Sequence, residues 1–484
     1  NLEFKTFQIS YNQKRMLNYF PKYFTQKAML LYVISLAAVT VVFFSHAMSW
    51  IWIFFGLVEV IGFFYFSNEL TRQWGKTSPK TFTKRLFTNS LIIRIVWVIF
   101  SYFFYQSMTG QPFEFAAADA QGYHNEAVWL ADMIHKGNIQ PYFAYINGRF
   151  SDMGYPFYLG CLYAVTGKSI LFARLLKALY GAITCVLIYK LTTRNFEEST
   201  GRIAGIFAML MPNLIYYCGV HLKEAEMVLL TVAFIERTDA LLRNRKFNFI
   251  NIFVPTLLGA SLFFFRTALG ITALFAVLTT LVFAHNKMVR SWKRFIYGLW
   301  IGITIIYFAG TSISSEVENL WQNRKENQST SIQWRAEREG GNRFARYASG
   351  TVFAPLILII PFPTMVDIPG QENQQQINGG NYVKNILAFF VIFALIWVIK
   401  NKVWRNYLLL GSFTIGYLLV MAFSAFAQSE RFHQPALPFI LILAAVGVSK
   451  STNKTKKYFL WWLGFIFVAI VGWNWFKLAG RGLT

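Results

Sequence analysis

The sequence predicts an all-α polytopic membrane protein: a bundle of about thirteen transmembrane helices with amphipathic juxtamembrane helices in its outer loops. Three observations carry this reading. The hydrophobic set makes up 55% of the 484 residues, only 14% are charged, and the mean hydropathy is +0.40. Soluble domains average about a quarter charged residues, so this chain needs an apolar solvent. Runs of roughly 18 or more nearly uncharged residues recur along its length, each long enough to cross a bilayer core as a helix. The alternation of apolar and polar residues over ~10 positions that marks a membrane barrel is not seen.

In chain order the spans are expected near 28–46, 49–67, 89–107, 169–192, 200–219, 222–242, 249–266, 267–285, 295–311, 383–400, 406–427, 434–449 and 457–475. The apolar stretches 153–167 and 349–363 are shorter and interrupted by proline or glycine, so they read as interfacial or re-entrant pieces. The whole chain, 1–484, is then one transmembrane domain. Its first outer loop is 108–152 and carries a juxtamembrane helix; further outer loops fall within 312–382. The polar stretch QENQQQINGGN at 371–381 reads as a mobile loop.

The formal charge is +24, but the basic residues sit in short loops between apolar runs and not in one soluble domain. That distribution argues against a nucleic-acid partner and follows the positive-inside rule. Basic clusters in the N-terminal segment and at 68–88, 243–246, 287–294, 400–405 and 450–457 all fall on one side when thirteen spans are threaded from a cytoplasmic N-terminus. The first residues, NLEFKTFQISYNQKR, lack the apolar core of a signal peptide. Cys161, Cys185 and Cys218 lie in or beside apolar runs without CxxC spacing and read as small core residues.

The opposite side receives the ionisable residues that could do chemistry. From Tyr123 onward, Ala127, Leu130, Ala131 and Ile134 recur at helical spacing, predicting an amphipathic helix on the membrane surface. Asp119 precedes it, either as an N-cap or as a general base, with His124 and Glu126 as neighbours. In CGVHLKEAEMVLL, His221, Lys223, Glu224 and Glu226 open an apolar helix. Acids in a first turn suit the helix dipole, but charge re-entering lipid is costly unless it pairs or works. Arg266, alone at a tight turn, either snorkels or grips a phosphate in its guanidinium fork. Glu430, Arg431 and His433 form a charged turn before Pro435. Arg335, Arg338, Arg343, Arg346 and Tyr347 add cationic and aromatic character to a loop that is otherwise a solvated one.

Taken together, a carboxylate base and several cations at one membrane face suit transfer from a donor whose leaving group is a lipid-bound phosphate. The order of features resembles the GT-C superfamily of polytopic glycosyltransferases, which use polyprenyl-phosphate-linked sugars. The resemblance rests on Asp119 in AADAQGYHNEA, on the segment 154–196, on the acidic turn LKEAEMVLL, and on ERFHQPALPFILILAAVGV. Within the last, Arg431, Pro435 and Pro438 are similar to the Arg-x-x-x-Pro-x-x-Pro end of many bacterial members. Two extra spans before the first outer loop depart from the commonest layout of the family.

The resemblance implies a glycosyltransferase of a bacterial inner membrane, working by inversion on the periplasmic or exterior side. It implies Asp119 as catalytic base, Lys223 and Glu224 lining the site, and Arg266 and Arg431 on the lipid phosphate. His124, Glu126, His221, Tyr347, Glu430 and His433 are further candidates for binding substrate. The implied partners are a polyprenyl-phosphate-linked sugar donor, a glycan, lipid or protein acceptor, and membrane lipids. A divalent cofactor, Mg or Mn, is compatible with Asp119 and Glu224 but not required by the sequence. Two other classes fit the same face less well: a surface-polysaccharide polymerase or ligase, and a lipid-linked glycan flippase. A flippase is expected to show internal repeats and polar, broken helices at the bilayer midplane.

Overall fold

The computed structural model describes residues 18–147, 151, 153–243, 249–284, 298, 302, 356–422 and 429–483. Helices dominate them, and the sole β-type pairing among the described residues is an isolated bridge between Ala47 and Val366. The expected span at 295–311 and Tyr347, with the arginines around it, lie outside the described residues.

Among the described residues, six helices are long and apolar enough to cross a membrane, which makes this an integral membrane protein. They are α1 (Lys22–Val42), α2 (Trp50–Trp74), α3 (Pro79–Thr109), α7 (Ile170–Asn195), α14 (Asn378–Lys400) and α18 (Asn453–Ala479). On α3 the buried residues are Phe82, Leu86, Ser90, Arg94, Val98, Ser101 and Tyr105, a single stripe at i, i+4 spacing. The remaining faces of α3 and α18 expose apolar side chains such as Val96 and Trp461, as lipid-facing helices do.

Shorter apolar helices complete the bundle: α11 (Phe249–Phe265), α12 (Thr267–Phe283), α15 (Leu408–Ala422) and α17 (Leu437–Ser449). α17 is buried along nearly its whole length between α14 and α8 (Glu198–Leu210). Gly447 lets α17 and α14 approach closely, because a Cβ there would fall inside the Phe390 carbonyl oxygen.

Two expectations are corrected. The span predicted at 200–219 is two helices, α8 and α9 (Pro212–Gly219), broken at Met211. Pro212 has no N–H for the carbonyl four residues back, Ala208. Arg94, fully buried on α3, donates to Ala208 O at 3.0 Å and to Met209 O at 3.3 Å, supplying the donors that the break removes.

At 222–242 the expected helix stands as α10 (Glu224–Arg243), packed inside the bundle against α7 and α11. Glu224, Glu226, Glu236 and Asp239 are all buried on it. From Glu224 to Asp239 the helix rises about 22 Å. At the end away from Glu224, Glu236 and Asp239 pair with Arg194, and Asp239 also with Arg243 at 2.9 Å.

The second correction is 371–381, expected as a mobile polar loop. It forms α13 (Glu372–Gln376) and the start of α14, with Gln375, Gln376, Asn378 and Asn381 buried. Each of these amides has a role in the bundle. Tyr105 donates to Gln376 Oε1 at 2.9 Å, Tyr32 donates to Asn378 Oδ1, and Gln375 donates to Val366 O at 2.9 Å. Asn213 Nδ2 donates to Asn381 Oδ1 at 3.3 Å. Glu59, inside α2, accepts from the Gly380 backbone N–H at 2.9 Å and so caps α14 from the side.

The close α14–α17 contact yields a test. Gly447→Ala should lower the thermal unfolding temperature of detergent-solubilised protein by an overpacking cost of about 1–3 kcal/mol or more. Gly464→Ala, on the same class of apolar helix but with open space around it, should leave unfolding unchanged.

Candidate functional site

The surface helix predicted from Tyr123 begins earlier, as α4 (Ala118–His135), and buries Ala120, Ala127, Leu130 and Ala131. It packs on α6 (Gly154–Thr166), the short apolar stretch expected to be interfacial. The N-cap of α4 is Ala117, so Asp119 is not the cap; it sits in the first turn with its carboxylate free to act elsewhere.

That carboxylate meets Arg431. From α16 (Glu430–His433), Arg431 donates through Nη1 to Asp119 Oδ2 and through Nε to Glu224 Oε1 at the start of α10. Residues 312 and 207 positions apart are thereby joined into one carboxylate–guanidinium–carboxylate array. The array runs from water into the protein: the Asp119 side chain is 61% exposed, Arg431 19% and Glu224 0%. Guanidinium suits this place because its fork of donors can serve two carboxylates at once.

The remaining cations surround the array. Lys223 is buried, donates to Phe265 O at 3.2 Å and lies 5.8 Å from the centre of the Tyr123 ring. Arg266 stands at the N-cap of α12 and lies 4.4 Å from the Phe432 ring centre. One of its guanidinium nitrogens, Nη1, is buried without a hydrogen-bond partner among the described residues. Of the two arginines expected to hold phosphate, Arg431 is already engaged by two carboxylates, whereas Arg266 keeps one donor without a partner among the described residues.

Other candidates fall into separate sets. His124 Nδ1 is 3.0 Å from the Tyr163 hydroxyl, which is 3.2 Å from His221 Nε2, a chain running from the half-buried helix α4 to a fully buried turn. Glu126 accepts from the Tyr142 hydroxyl at 3.0 Å. Burial raises the Glu126 carboxyl above its ordinary range, with the Tyr142 bond opposing; burial lowers the His124 imidazole, helped by nearby Lys168. The charged turn 430–433 is divided by its own helical geometry. Arg431 faces the array, while Glu430 is buried and accepts from Asn213 at 2.7 Å and Tyr217 at 2.6 Å. His433, also buried, pairs with Lys384.

Several polar residues of this end were not singled out in the sequence. Arg174 and Lys177, on one face of α7, are fully buried; Arg174 lies 3.8 Å from Glu114 and Lys177 lies 3.7 Å from Glu226. Lys177 also lies 5.0 Å from the Tyr155 ring centre. The signal was available: an ionisable residue inside an apolar run is expensive and rarely idle. Lys384 and Glu59 carry the same signal inside α14 and α2.

Beside the array, α4 borders an open cleft of about 560 Å³ lined by Asp119, Tyr123, Glu126, Trp129 and Tyr145. Among the described residues no group of three or more His, Cys, Asp or Glu side chains could hold a metal ion. Asp119 and Glu224 in particular share the Arg431 guanidinium, which already supplies positive charge between them.

No protein-family model matches the chain, and neither the curated proteins nor the solved structures gave a match.

Two outcomes are expected from this geometry. Arg431→Met strands the buried Glu224 carboxylate and should destabilise the protein by about 3–5 kcal/mol in thermal or denaturant unfolding, with Arg431→Met/Glu224→Gln recovering most of the loss. The His124 imidazole is depressed below its unfolded value of 6.5, so its contribution is complete above that pH and is lost as pH falls. The unfolding temperature should drop between pH 7.5 and pH 5, and the drop should be smaller in His124→Gln.

Proposed function

We propose that the protein is a membrane glycosyltransferase of the GT-C type, moving a sugar or oligosaccharide from a polyprenyl-phosphate or diphosphate lipid to an acceptor outside the cytoplasm. The observation that carries this reading is the Asp119–Arg431–Glu224 array. It joins three distant segments at the mouth of an open cleft, at the end of an apolar bundle where a lipid-linked donor can reach it. The loop distribution of lysine and arginine supports an orientation with this end facing away from the cytoplasm, and the resemblance to bacterial GT-C members suggests a bacterial inner membrane.

In the reaction, an acceptor hydroxyl attacks the anomeric carbon of the donor sugar. The new C–O bond forms as the bond to the lipid phosphate breaks, and configuration inverts. Asp119, exposed on α4, takes the hydroxyl proton. Arg431 holds that carboxylate in place, while buried Glu224 anchors the guanidinium from below. The departing phosphate accepts from Arg266 Nη1, which has no partner among the described residues. Arg266 thus serves as the phosphate ligand, and Arg431 positions the base.

The test uses purified protein in nanodiscs with radiolabelled polyprenyl-phosphate sugars and an envelope extract. Label should transfer, with free lipid phosphate released, and Asp119→Asn should slow transfer by about 10²–10⁴-fold. Transfer unaffected by Asp119→Asn would remove the base from the mechanism. Movement of labelled lipid between leaflets without transfer would replace the enzyme with a flippase.

A further inference from the structure

The cleft along α4 has a shape and chemistry that say more about its occupant. Asp119, Gly122, Tyr123, Glu126 and Trp129 recur at three- and four-residue spacing, so they share one face of the helix. From Asp119 to Trp129 that face runs about 15 Å. This is longer than one sugar ring requires. Gly122 keeps the floor of the cleft low between the two ends, with nothing within 4 Å of where its Cβ would stand.

The far end is a platform. Trp129 and Tyr145, on α5 (Gln140–Ile146), meet edge to face with ring centres 5.4 Å apart, and Tyr142 backs Trp129 at 5.8 Å. Trp129 is 37% exposed and Tyr145 56%. Rings that touch one another offer a face for stacking; they do not enclose the box that an alkylated ammonium group fills. In the middle, the Tyr142 hydroxyl fixes the Glu126 carboxyl through Oε1, a polar group set among aromatic rings as hydroxyl recognition needs. No lysine or arginine is among the described residues lining the cleft, while two carboxylates are. At the Glu126 and Trp129 part of the cleft, away from Arg431, the described lining offers an anionic sugar or a phosphate-bearing headgroup a carboxylate and aromatic rings, which disfavours both.

We propose that this cleft binds the acceptor as an extended neutral or amino-bearing glycan of at least two sugars. The reacting hydroxyl lies at Asp119, and a neighbouring sugar stacks on the Trp129–Tyr145 platform. The assignment as acceptor rests on the transferase reading above; the assignment as a glycan cleft does not. Trp129 and Tyr145 are therefore specificity-determining residues remote from the reacting atoms, and the acceptor is a glycan chain and not a single sugar or a lipid headgroup.

The experiment measures binding to the full chain in nanodiscs by saturation-transfer NMR. The probes are maltotriose, mannotriose and chitotriose, their monosaccharides, trigalacturonate and glycerophosphocholine. At least one neutral or amino trisaccharide should bind, about tenfold tighter than its monosaccharide, and Trp129→Ala or Tyr145→Ala should each weaken it about tenfold, the loss of one aromatic contact. Trp129→Phe should restore most of that binding, and an unchanged unfolding temperature for each variant certifies its fold. Binding by none of the trisaccharides, equal binding of trigalacturonate, or Trp129-dependent binding of glycerophosphocholine would each overturn the proposal. The two readings separate cleanly. Trisaccharide binding with these dependences but no label transfer retires the transferase and keeps the glycan cleft. Label transfer with an acceptor KM indifferent to Trp129→Ala keeps the transferase and retires the cleft.

Discussion

A charge or a backbone amide taken out of water must find its partner inside the protein, and this constraint organises the bundle from one end to the other. Arg94 illustrates it most simply. Pro212 breaks a helix and leaves carbonyls without donors, and a fully buried arginine from another helix fills the gap. The start of α14 obeys the same constraint through Glu59, Tyr32 and Asn213. The far end of α10 obeys it through Arg194 and Arg243. Removing one partner from any of these sets leaves the other stranded in low dielectric, so the sets also fix which helices may be neighbours.

The candidate site is the place where this constraint is only partly met. Glu224 is fully buried, Arg431 half-way and Asp119 open to water, so the array carries a buried charge out to the surface in two steps. A base held this way is fixed in position by α4, α10 and α16 together, and motion of one loop alone cannot displace it. Arg266 keeps a buried nitrogen without a partner among the described residues, the kind of unmet demand that an arriving oxyanion would satisfy. Site and scaffold are thus built from the same polar pairs, and stability and activity should respond together when Arg431 or Glu224 is changed.

Much of the architecture could be read in the residues. α1, α2, α3, α7 and α18 stand where long apolar runs were found, because nothing but a helix satisfies its own backbone in lipid over that length. α4 follows the apolar spacing of Ala127, Leu130 and Ala131. Polar composition did not mean exposure. The stretch 371–381 has the composition of a loop, yet Gln376, Asn378 and Asn381 are buried because hydroxyls and amides from α1, α3 and α9 meet them. The converse held for Arg174, Lys177 and Lys384, whose apolar neighbours in sequence said nothing of the acids, carbonyls and imidazole that hold them in space.

By itself the sequence determined that this chain lives in a membrane, roughly where its long helices lie, and which ionisable residues flank them, since length, hydropathy and charge are local properties. Only the tertiary structure decided which of those residues meet. It took Asp119 off the N-cap of α4 and set it on Arg431, turned Glu430 and His433 away from the same site, and placed Trp129 and Tyr145 at the far end of one cleft. The physical reason is that pairing in a low-dielectric interior is chosen among residues hundreds of positions apart, by packing geometry that no local pattern encodes.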